Sequence, residues 1–62
     1  MFTRCFERTT YDLNWDEYYE VINISEYGFE FYTNGVLERT GLVEDLEETI
    51  SMLLDEGWVE VE

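Results

Sequence analysis

Sixteen carboxylates, three arginines and one cysteine supply nearly all the reactive side chains of this 62-residue chain, and there is no histidine. General acid-base work near neutral pH usually recruits histidine, and a nucleophilic Cys5 would need a neighbouring base of that kind. Only carboxylate pairs are left. A glycosidase-type pair must be held at a set separation across a sugar-binding cleft, which a domain this small seldom encloses. The inventory therefore predicts no enzyme, no catalytic residue and no cofactor. Cys5, alone, cannot form an intramolecular disulfide. Asn23-Ile24-Ser25 matches a glycosylation sequon, but a chain expected in the cytoplasm would not meet that machinery.

Asp12-Leu13-Asn14-Trp15-Asp16 has the D-x-N-x-D opening of a calcium loop. The rest of the loop fails: the glycine needed for the sharp turn is replaced by Glu17, and the closing bidentate glutamate by Asn23. No dedicated metal site is expected, although a weak carboxylate metal-binding module is one alternative reading. Arg4, Arg8 and Arg39 are expected to form intramolecular pairs that relieve local repulsion. Among the aromatics, Phe2, Phe6, Trp15, Tyr18, Tyr19, Phe29, Phe31 and Trp58 are read mostly as core. Tyr11, Tyr27 and Tyr32 are read as outward-facing interface residues among carboxylates.

The elements that position these groups can be read from periodicity. No proline, linker or repeat divides residues 1–62, so one domain is predicted. Apolar Leu42, Val43, Leu46, Ile50, Leu53 and Leu54 form one helical stripe, which predicts an amphipathic helix over Leu42–Glu56. Thr40 or Gly41 would cap its start, Gly57 would end it, and Glu44, Asp45, Glu47 and Glu48 would complement its dipole. Asn34-Gly35 between Phe29–Thr33 and Val36–Thr40 predicts a hairpin. Glu20–Ile24 adds a strand before it, and Phe2 to Tyr11 is read as another strand with no assigned partner. Trp58–Val61 is read as a final strand with Val59 and Val61 on the inner face. Asp12 to Tyr19 is read as a loop with at most one helical turn. The fold expected is α+β: a small antiparallel meander of three to five strands with one helix on one face, its core including Phe29, Phe31, Leu46, Ile50, Leu53 and Val59.

The charge narrows the partner. A net charge of −13 with 45% hydrophobic and 18% aromatic residues describes a folded chain, not a disordered one. Nucleic acid and anionic membranes are excluded as direct partners, because both need cations on the protein. Absence of an apolar leader or span points to the cytoplasm. Solubility needs a net charge of only about 2 to 8, so the excess suggests selection for the external field. Along B-DNA, 13 charges occupy roughly 22 Å of duplex, close to the diameter, a little above ~25 Å, expected of this domain.

With Gly28-Phe29-Glu30-Phe31-Tyr32, the acidic amphipathic segment Val43–Glu56 and Gly57-Trp58-Val59, the C-terminal half resembles small acidic phage-encoded inhibitors, the anti-CRISPR and other DNA-mimic proteins. The resemblance implies acidic side chains occupying the basic surface of a host DNA- or RNA-binding protein: a Cas subunit, restriction enzyme, glycosylase or polymerase subunit. Glu44, Glu47, Glu48 and Asp55 on the helix, with Glu30, Tyr32 and Tyr27, are the candidate partner-binding residues. The alternatives are a non-mimic acidic adaptor, a salt-adapted small protein, and an apolar interface built on Tyr27, Tyr32 and Trp58.

Overall fold

Period-two alternation in the strands and the 3.6-residue stripe of the helix meet in one apolar layer. The computed structural model describes residues 4–61. It contains strands β1 (Arg4–Tyr11), β2 (Glu17–Ile24), β3 (Gly28–Thr33) and β4 (Val36–Leu42), helix α1 (Leu46–Asp55) and strand β5 (Val59–Val61). The sheet order is β4-β3-β2-β1-β5 and every pairing is antiparallel. The first four strands form the expected meander. Helix α1 then carries the chain over one face, so that β5 joins β1 at the opposite edge.

Register decides which side chains meet the helix. Phe6 stands opposite Ile22, Ile22 opposite Phe31, and Phe31 opposite Arg39; the neighbouring row is Arg4, Ile24, Phe29 and Gly41. These rows share the helix-side face. Phe6 and Ile24 are fully buried there with Ile50, Leu53 and Trp58, flanked by Ile22, Phe29, Phe31, Val43 and Leu46. Each fully buried side chain of this size contributes about 1.5–3 kcal/mol. Gly41 is a strand residue whose missing side chain makes room for Phe29: a Cβ there would lie 2.6 Å from the ring.

The helix is shorter than its apolar stripe predicts. It begins at Leu46, capped by Asp45, whose carboxylate accepts the Glu48 amide at 3.1 Å. Leu42 instead ends β4 opposite Gly28 and is 89% exposed. Leu54 is also exposed, because α1 turns only Leu46, Ile50 and Leu53 toward the sheet. Gly57, at φ 93°, closes the helix as expected. The Trp58 amide reaches back to the Leu53 carbonyl and the Gly57 amide to that of Leu54, the paired bonds of a Schellman turn.

Three further expectations are corrected. Val59 and Val61 stand opposite Glu7 and Cys5, on the sheet face away from the helix, and Val59 is 61% exposed; Trp58 takes the inner position instead. Within Asp12 to Tyr19, residues 12–16 form a loop without a helical turn, in line with the reading, but Glu17, Tyr18 and Tyr19 already belong to β2. Trp15, Tyr18 and Tyr19 lie outside the core, exposed along that hairpin. The reading of Phe2 falls outside the described residues.

Candidate functional site

All three arginines lie on the helix-side face, each against a core aromatic ring. The guanidinium of Arg4 lies 5.6 Å from the Phe6 ring centre, that of Arg8 4.4 Å from Trp58, and that of Arg39 6.0 Å from Phe31. Arg4 also makes a two-pronged pair with Glu60, both bonds 2.6 Å. This bond holds the Glu60 carboxyl below, and the Arg4 guanidinium above, its ordinary pKa. Arg8 pairs with half-buried Glu20 at 3.0 Å and donates to the Glu56 carbonyl at 3.4 Å. The expectation of intramolecular ion pairs thus holds for Arg4 and Arg8; among the described residues, Arg39 shows its ring contact and no ion pair.

The opposite face of the sheet carries no cation among the described residues. Its side chains follow from the alternation: Cys5, Glu7, Tyr19, Val21, Glu30, Tyr32, Leu37, Val59 and Val61 stand on it by register. Here tyrosines and carboxylates are paired. The Tyr19 hydroxyl donates to Glu7 and that of Tyr32 to Glu30 at 3.0 Å. Because the neutral phenol donates to a carboxylate, both tyrosines ionise above the ordinary value. Partial burial, then the nearby Glu7 charge, pushes the Cys5 thiol up as well, which makes it a weaker nucleophile.

The seven candidate residues do not form one patch. Glu44, Glu47 and Tyr27 meet where the β2–β3 turn approaches the start of α1, around an open hollow of about 700 Å³ that Glu26, Asp45 and Leu46 complete. Glu48 and Asp55 lie on exposed positions of α1, and Glu30 and Tyr32 on the far face of the sheet. Glu44 precedes the helix and its cap Asp45, so it is not one of the helical residues it was expected to be. Trp58 is 4% exposed and cannot serve an apolar interface.

Sequence reasoning missed Glu26 and Asp45 at the hollow, and Glu7 as the partner of Tyr19. Glu7 could have been found: hairpin pairing of β1 with β2 puts Glu7 and Tyr19 on one face. Asp12, first residue of the calcium-like opening, is committed elsewhere. One of its oxygens accepts the amides of Asn14 at 2.8 Å and Asp16 at 3.0 Å, and the other accepts the Tyr18 hydroxyl at 3.1 Å. The Asp16 amide foremost holds this carboxyl below its ordinary pKa. Among the described residues, no three of His, Cys, Asp and Glu gather as a metal site, and no helix is long and apolar enough to cross a membrane. Comparison with protein-family models, curated proteins and solved structures finds no match.

Proposed function

We propose that this chain is a binding domain that inhibits a nucleic-acid-binding protein by occupying its basic surface. The observation that carries the reading is the placement of the cations. All three arginines stand over core rings, and two are neutralised by ion pairs, so among the described residues the acidic hollow, the outer side of α1 and the open sheet face present carboxylates without a neighbouring cation. A surface of this kind attracts basic partners from a distance and speeds their encounter. The molecule spans 36 × 23 × 21 Å, a length comparable to one turn of duplex, about 34 Å. Cas subunits, restriction enzymes, glycosylases and polymerase subunits all offer such a basic surface, and the domain acts on its target in the cytoplasm.

The quadruple substitution Glu44→Gln, Glu47→Gln, Glu48→Gln, Asp55→Asn tests the reading. If these groups stand in for phosphates, the complex dissociates faster while the domain stays folded, and affinity falls steeply with salt. An unchanged off-rate at two salt concentrations, with only the on-rate reduced, would mean that the charges merely steer approach.

A further inference from the structure

The β1–β2 hairpin extends beyond the rest of the sheet. On one side β5 reaches only as far as Glu7; on the other, β3 ends opposite Glu20 and its turn is tied to Tyr19 through both backbone groups and the Asn34 side chain. Among the described residues, the two strands from Thr10 to Tyr18 have only each other as strand neighbours, and at about 3.3 Å per residue this arm projects roughly 10 Å. Its tip gathers three strongly exposed apolar and aromatic side chains in one place. Leu13 is fully exposed, Trp15 80% and Tyr11 57% exposed, with Trp15 stacked at a tilt on Tyr11 at 6.2 Å.

The tip is built, not loose. Trp15 has φ 64°, a conformation that bulky residues rarely adopt. It is enforced by Asp12, whose carboxylate holds the Asn14 and Asp16 amides and the Tyr18 hydroxyl while its carbonyl accepts the Trp15 amide at 3.1 Å. A tryptophan whose backbone is already fixed by the turn has less freedom to lose when it docks, and tryptophan is among the side chains that dominate protein interfaces. The occupant follows from charge. Residues 9–19 contain Asp12, Asp16 and Glu17 and no cation, which opposes an anionic lipid surface or a second copy of this chain and favours arginine or lysine around the docking point.

We infer that the β1–β2 arm is a docking finger whose Leu13 and Trp15 enter an apolar pocket on the partner, with Asp16 and Glu17 meeting a rim of basic side chains. The inference rests on the protein-binding reading above and supplies the contact that its charges alone lack. A carboxylate surface steers; an inserted tryptophan slows release.

The experiment uses the whole chain, immobilised and exposed to a nuclease-treated extract of the cells in which it is made. The retained protein is purified and its affinity measured for wild type, for Leu13→Ser with Trp15→Asn, and for the quadruple charge variant. Asparagine accepts the left-handed conformation, and an unchanged thermal midpoint verifies the fold of each variant. The arm variant should lose about thirty-fold or more in affinity, the loss should persist in high salt, and acrylamide quenching of the exposed Trp15 should be suppressed in the wild-type complex. Affinity within about three-fold of wild type, undiminished quenching, or no retained protein at all would overturn the finger. A shift of Trp15 emission on adding phosphatidylcholine vesicles would overturn it in favour of lipid. Dependence on the arm without competition by DNA would retain the finger and remove nucleic-acid mimicry; competition by DNA with an unaffected arm variant would do the reverse.

Discussion

Arg8 joins three elements. It pairs with Glu20 of β2, covers the Trp58 ring and donates to the Glu56 carbonyl just past α1. Arg8→Ala leaves Glu20 half-buried without its cation and uncovers the indole, and should cost about 1–3 kcal/mol in a denaturant titration. Arg4→Ala, at an exposed pair, should cost clearly less; equal losses would show that Arg8 is not structural. Titration gives a second test at this scale. Tyr18, Tyr19 and Tyr32 are raised by their bonds to Asp12, Glu7 and Glu30. Their contribution is complete below the ordinary tyrosine value near pH 10 and is lost as pH rises through the raised values, so phenolate absorbance should show a late-titrating fraction that disappears on unfolding. Asp12 and Glu60 are lowered, so theirs is complete above about pH 4 and lost as pH falls through the lowered values. Apart from Tyr32 with Glu30, two residues apart on β3, these pairings were hard to read from sequence because they join residues on different strands or across a turn, and the cross-strand ones depend on a register that one residue of slip would reverse.

At the level of elements, α1 is held by its two ends. Asp45→Ala removes the bond to the Glu48 amide and should cost about 0.5–2 kcal/mol. Gly57→Ala forces a side chain into φ 93° and should cost about 1 kcal/mol or more. Thermal midpoints of the two variants check both, and an unchanged midpoint for either would contradict its cap. The Asn34-Gly35 hairpin and the Leu46, Ile50, Leu53 stripe were legible because both are local patterns. The start of α1 was not, since Leu42 and Val43 continue the stripe but Gly41 is needed as a strand residue beneath Phe29. The side of β5 was not legible either: three residues carry too little alternation, and pairing with β1 sets their face. Within Asp12 to Tyr19 the loop was legible but the strand state of Glu17 to Tyr19 was not, because the aromatic spacing of a helix also fits a hairpin arm whose side chains face water.

At the scale of the molecule, composition sets the net charge of −13 but not the division of the surface. That division follows from the fold: arginines gathered on the helix side, carboxylates on α1, at the hollow and on the open sheet face, and apolar groups at the tip of the arm. If the proposed mimicry holds, this surface and a nucleic acid compete for one site on the partner. Fluorescence anisotropy of a labelled DNA duplex bound to the purified partner tests it most directly, with the domain added at increasing concentration and at two salt concentrations. Anisotropy should fall to that of free duplex as the domain saturates the partner, and at either salt concentration the quadruple charge variant should displace less duplex than the wild-type domain does. A partner that binds the domain while keeping its duplex, in a ternary complex with undiminished anisotropy, would contradict the mimicry.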